Sequence, residues 1–156
     1  MKKRIAFVVV LLALVVATLD ILPGPSKQQI QQALATATKI ELVSLNPDRE
    51  QEDRPELFGR RQVLQRVALS DQETAQVRSS LNWDLRFRQW VVARCFNPRH
   101  GLKLTTPSGD YRLLICYECS QMELFLPDGS HASLVPLNGS SQETLNGLLT
   151  GHPRTP

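Results

Sequence analysis

The stretch Cys95 to Cys119, CFNPRHGLKLTTPSGDYRLLICYEC, holds all three cysteines of the chain and one of its three histidines. Alternating apolar residues on either side of Pro107-Ser108-Gly109-Asp110 predict a β-hairpin. With a two-residue turn at Ser108-Gly109, Pro107 faces Asp110, Gly101 faces Cys116, Pro98 faces Cys119 and Cys95 faces Met122. Pro98 has no N–H for such a ladder, so pairing is expected to break across Asn97-Pro98-Arg99-His100 and that corner to fold back toward the second pair of sulfurs. Cys95, His100, Cys116 and Cys119 would then share one end of the hairpin, with Pro98 and Arg99 in support.

Three chemistries fit those side chains. The first is a closed metal site of three thiolates and one imidazole, Cys95, His100, Cys116 and Cys119, a set that suits zinc. The second is a disulfide. On an extended strand Cys116 and Cys119 lie about 10 Å apart, beyond the roughly 7 Å that a bridge tolerates, so their pairing needs Tyr117-Glu118 to turn. Otherwise Cys95 bridges to Cys116 or Cys119, and either way one thiol is left over. The third is thiol redox or nucleophilic chemistry, by a Cys116/Cys119 dithiol or by Cys95 with its thiolate favoured by Arg99 and His100. Strand-like sequence on both sides of the Cys-x-x-Cys pair differs from the helix N-terminus where thioredoxin-like sites sit.

The N-terminus bears on the choice. Met1-Lys2-Lys3-Arg4 followed by the apolar run Ile5 to Ala17 has the form of an export signal. As a helix that run is about 20 Å long against a hydrocarbon core near 30 Å. Val15 and Ala17 offer a cleavage site before Thr18, while extension to Leu22 makes an uncleaved anchor of residues 5–22. Residues 1–22 are therefore a signal peptide or membrane anchor, and the domain is extracytoplasmic, periplasmic or secreted. Exported thiols meet oxidants, which weighs toward a bridge over a thiolate metal site.

The chain carries 18 basic and 15 acidic residues, a net charge of +3. Three of the basic residues sit in the signal, leaving 15 against 15, so the rest is near neutral and nucleic acid is not an implied partner.

Pro23-Gly24-Pro25 is a stiff break, after which Ser26 can cap a helix with Ile30, Leu34 and Ala37 on one stripe; residues 23–38 read as a linker or spacer helix. Residues 39–150 read as one α+β domain, with 151–156 a tail. Lys39 to Leu45 is a strand ended by Asn46-Pro47, and Asp48 to Glu56 is a solvated mixed-charge loop. Gln62 to Leu69 is its partner strand, with Val63, Gln65, Val67 and Leu69 on one face. Ser70 and Glu73 form a capping box opening the main helix, whose stripe is Val77, Leu81 and Leu85. Trp83 and Trp90 read as packing at the edge of the core. Trp90 to Phe96 is the incoming strand of the hairpin, resumed at Leu102 to Thr105, and Tyr111 to Tyr117 returns. Met122 to Leu126, a turn at Pro127-Asp128-Gly129-Ser130, and His131 to Leu137 add another antiparallel pair. Ser140 and Glu143 repeat the capping-box spacing before a short helix with Leu145, Leu148 and Leu149. The sum is a mostly antiparallel sheet with a central β-hairpin, one main helix and a short C-terminal helix packed on it.

Cys95-Phe96-Asn97-Pro98-Arg99-His100-Gly101, followed by Ile115-Cys116-Tyr117-Glu118-Cys119, resembles the pattern of a group of uncharacterised bacterial exported proteins. The resemblance extends in element order over Lys39 to Leu149 and implies a common site formed by the two cysteine segments, with no activity attached.

No Gly-rich phosphate loop, Gly-x-Ser-x-Gly elbow or His-Glu-x-x-His pair occurs. His131 and His152 read as surface residues, and Arg60, Arg61, Arg94 and Arg99 as rim or salt-bridge residues. The sequence points to a binding or structural module for an unknown protein or small ligand, fixed by its Cys/His cluster, with a thiol–disulfide redox enzyme as the rival reading.

Overall fold

A computed structural model describes residues 25–50, 58–86 and 95–153. The signal or anchor segment 1–22, Trp90 and most of the incoming strand expected from Trp90 lie outside them. The elements run α1 (Pro25–Thr36), β1 (Lys39–Glu50), β2 (Arg61–Ala68), α2 (Asp71–Asp84), β3 (His100–Thr106), β4 (Gly109–Cys116), β5 (Gln121–Phe125), β6 (His131–Pro136) and α3 (Gln142–Gly151). The strands form one antiparallel sheet in the order β2-β1-β3-β4-β5-β6, giving the α+β architecture expected from the pattern. Among the described residues no helix is long and apolar enough to cross a membrane.

Alternation along the strands divides the apolar residues between two faces. Ile40, Leu42, Leu102, Leu104, Leu113, Ile115, Met122 and Leu124 build the main core with residues of all three helices. Val43, Leu45, Phe58 and Leu114 form a smaller cluster, flanked by Val63, Phe96 and Phe125. Since Val43 follows Leu42, and Leu114 lies between Leu113 and Ile115, this second cluster occupies the opposite face. β4 is thus apolar on both sides, as its run Leu113-Leu114-Ile115-Cys116 requires.

Helix α1 belongs to the core and does not stand clear as a spacer. Ile30 and Leu34 fall on its inner stripe and have no exposed surface, and Ala37, just past its end, is buried as well. Burial of a side chain the size of Ile30 or Leu34 stabilises by about 1.5–3 kcal/mol, support that an isolated helix of 12 residues, marginal in water, otherwise lacks. Lys27 Nζ also donates to the Leu85 carbonyl, tying α1 to the end of α2.

Helix α2 starts where its sequence directs. Ser70 caps it, its side chain accepting from the Glu73 N–H while the Glu73 carboxylate accepts from the Ser70 N–H. Val77, Leu81 and Leu85 are buried. Trp83 is half exposed, with the Arg86 guanidinium 5.3 Å from its ring centroid, and takes no part in the core clusters.

The remaining departures are matters of register. β1 continues through Asn46-Pro47 to Glu50, which pairs with Arg61, and the ladder is irregular between Leu45 and Glu50, where Pro47 has no N–H to give. In β2, Ser44 pairs with Gln65 but Leu45 with Val63, so Leu64 is an extra residue and bulges out, half exposed. The bulge turns Val63 to the opposite face, away from Gln65 and Val67. In the central hairpin Thr106 pairs with Gly109, so the turn residues are Pro107-Ser108 instead of Ser108-Gly109. Pro at the first turn position and Gly after the second, here with φ 118°, is the type I preference, and the Thr106 hydroxyl closes the turn by donating to the Gly109 carbonyl over 2.9 Å.

Candidate functional site

The corrected turn moves every partner in the hairpin by two residues. Gly101 lies opposite Leu114 and His100 opposite Ile115, not opposite Cys116 and its neighbour. A two-residue shift preserves the faces, so it does not scatter the site. It does place His100 inside the sheet as the first residue of β3.

The pairing breaks at Pro98, but earlier than expected: Cys95 and Phe96, placed by the sequence in the incoming strand, are already outside it, and His100, placed in the corner, is paired. Cys95 to Arg99 form no strand, and two hydrogen bonds fix their course. Arg61, largely buried, donates through Nη2 to the Phe96 carbonyl over 3.0 Å and through Nη1 to the Pro47 carbonyl over 2.8 Å. The Leu45 N–H donates to the Arg99 carbonyl over 2.9 Å. Pro98 is buried, and Phe96 packs against the smaller apolar cluster. Arg61 is therefore a structural clamp on this segment, not a rim residue.

Beyond Cys116 the chain turns at once. The Ser120 N–H donates to the Tyr117 carbonyl, Ser120 takes a φ of 51°, and Gln121 pairs back with Cys116. This turn at Tyr117-Glu118 is the condition the sequence set for a bridge. It brings the Cα atoms of Cys116 and Cys119 to 5.3 Å and their sulfurs to disulfide distance. The Cys119 N–H donates to Cys116 Sγ over 3.3 Å. Both cysteines are 1 % exposed. Cys95 is exposed, and its Sγ lies 3.5 Å from that of Cys119. Arg99 Nε reaches the Glu118 carboxylate at 3.2 Å, an exposed pair linking the two loops.

The three sulfurs meet; the imidazole does not join them. Ile115, opposite His100, points into the main core, so Cys116 points to the other face. His100 lies with the helices, its Nε2 2.8 Å from Asn146 Oδ1 of α3 and its ring edge-on to Tyr117 at 5.3 Å. Its Nδ1 is buried without a hydrogen-bond partner among the described residues. Burial holds the imidazole pKa below its usual value, opposed by the Asn146 bond and reinforced by the nearby Arg99 charge. His100 lines a cleft of about 510 Å³ whose polar side chains include Ser44, Gln65, Arg99, Asn146 and His152. Among the described residues no three His, Cys, Asp or Glu side chains are placed to hold a metal ion. The four-ligand set expected from the sequence is divided by the sheet.

Compared with known proteins, the chain matches no family model, no curated protein and no solved structure. What can be said of the site rests on its own geometry.

That geometry includes residues the sequence did not single out. Tyr117, inside the Cys-x-x-Cys turn, points to the helical face, where its hydroxyl lies 2.6 Å from Ser141 Oγ. Ser141 donates in turn to Asp84, which has no exposed surface. Burial pushes the Tyr117 phenol above its usual range, so it remains a neutral donor. The turn that carries the sulfurs is thus anchored through one side chain to the junction of α2 and α3. Only the serine pair at 140 and 141 hinted at this. A carboxylate arriving from a different helix leaves no local signature.

Proposed function

We propose that this protein is an exported or membrane-tethered domain serving as a binding or structural module, with the Cys116–Cys119 pair fastening the turn between β4 and β5. The observation that carries the reading is that turn, which closes on two buried sulfurs within a few residues. The basic head and apolar run of residues 1–17 support export, and a persistent disulfide is at home in the oxidising compartment such a signal leads to. The N-terminal segment makes the membrane contact, and the ligand is a protein or small molecule. A loop this short constrains the unfolded chain modestly, so the bridge stabilises by about 2 kcal/mol.

Thiol counting and metal analysis on the purified protein, denatured without reductant, test this. The expected result is one reactive thiol, that of Cys95, and no stoichiometric zinc. Three thiols with one zinc per chain would instead establish the metal site that the sequence also allowed, and end the disulfide reading.

One contact favours a second reading, thiol–disulfide exchange. An exposed thiol touching one sulfur of a buried pair is the arrangement that exchange requires.

A further inference from the structure

We infer that Cys95 is the outer end of a three-sulfur relay through which the buried Cys116–Cys119 disulfide is passed to a dithiol on a partner protein. This rests on the exchange reading above and on the pair being bonded.

Access decides the route. With Cys116 and Cys119 each 1 % exposed, a thiolate from solution has no approach to either sulfur. Cys95 is exposed and already at van der Waals contact, 3.5 Å, with Cys119 Sγ. Its position is held from behind by the Arg61 bond to the Phe96 carbonyl and by buried Pro98, so the contact belongs to an ordered segment. Exchange is also favoured by a stabilised leaving sulfur. Cys116 Sγ accepts the backbone N–H of Cys119, a donor that strengthens as negative charge develops there.

The steps balance without an outside oxidant. Cys95 loses its proton and attacks Cys119 Sγ; the Cys95–Cys119 bond forms, the Cys116–Cys119 bond breaks, and the electron pair and a proton end on Cys116. Cys95 is oxidised and Cys116 reduced, so the chain as a whole neither gains nor loses electrons in this step. A partner thiolate then attacks the exposed Cys95 Sγ, giving a mixed disulfide and leaving Cys119 as a thiol. A second partner thiol attacks the partner's own sulfur in that mixed disulfide, and Cys95 leaves as a thiol. The partner's dithiol has become a disulfide, the domain's disulfide has become two thiols, and two electrons have moved inward.

The test uses the oxidised full chain, a reduced two-cysteine peptide as probe, and two variants. The wild-type protein should oxidise the peptide, and Cys95→Ser, at an exposed position, should do so at least about tenfold more slowly because the buried pair has lost its only outlet. Cys116→Ser, purified without reductant, should show no free thiol and a Cys95–Cys119 bond on peptide mapping. An unslowed Cys95→Ser, or two free thiols in Cys116→Ser, overturns the relay while leaving the fastened-turn reading intact. Three free thiols in the wild-type protein remove both.

Discussion

Asp84 and Ser141 are joined twice, the Asp84 Oδ2 accepting both the backbone N–H and the hydroxyl of Ser141. Its Oδ1 accepts the N–H and hydroxyl of Ser140 over 2.6 and 2.7 Å. One buried carboxylate at the end of α2 therefore caps the start of α3, where negative charge is favoured by the helix dipole. Ser141 makes no side-chain cap of its own, and the Ser140/Glu143 capping box expected from spacing does not form, because both hydroxyls are turned to Asp84. Asp84→Ala should destabilise the protein by about 3 kcal/mol, through several donors left unsatisfied in the interior. Urea unfolding at neutral pH measures this, and a loss below about 1 kcal/mol would show that water replaces the carboxylate at little cost.

His100 gives stability a pH dependence near neutrality. Its folded pKa lies below the 6.5 of a free imidazole, so between the two values the unfolded chain binds the proton that the folded chain refuses. Its contribution is whole above about 6.5 and is lost progressively as pH falls toward the folded value. The urea midpoint should drop between pH 7.5 and 5.5, and His100→Gln, which keeps an amide toward Asn146, should flatten that change. An equal slope in the variant would assign the effect elsewhere.

Gly101 is required by Phe58. A Cβ at position 101 would stand 2.6 Å from Phe58 Cε1 and 2.6 Å from Val43 Cγ2. Gly101→Ala should cost about 1–3 kcal/mol by forcing the ring off the sheet, visible as a lowered melting temperature. Little change would mean that Phe58 relaxes freely.

Glu73 serves two partners, capping α2 at Ser70 and meeting His152 Nε2 at 2.7 Å. The His152 bond, followed by those to Ser70, lowers its pKa from 4.5 to about 2. Its folded-state advantage is therefore present above about 4.5 and disappears as pH falls through about 2. Glu73→Gln should lower the urea midpoint at pH 7 and make no difference near pH 2. A gap between wild type and variant that persists at pH 2 would contradict the pairing.

Local chemistry told most of the fold. Capping at Ser70, the stripe Val77-Leu81-Leu85, the continuous apolar run of β4 and the patterns of β5 and β6 are encoded within a few residues, and each of these elements stands near where its pattern puts it. Register was harder, because Pro107-Ser108 and Ser108-Gly109 are both acceptable turns, and the bulge at Leu64 has no marker in a strand of ordinary β-formers. The sulfur cluster followed from one proline and one short spacing. The separation of His100 from it did not, because which face a residue takes depends on where pairing begins, and His100 proved to be the first residue inside the strand. The place of α1 in the core was hidden by its polar composition, since Ile30 and Leu34 suffice to bury it.

Cys116 and Tyr117 are consecutive, yet one faces the sulfurs and the other the helices. Breaking the bond at Cys116 would free the backbone next to the phenol seated beside Ser141, so the thiol state on one side of the sheet is expected to register in the surroundings of a chromophore on the other. Near-ultraviolet circular dichroism, in a chain with two tyrosines and two tryptophans, is the label-free signal in which reduction is expected to appear.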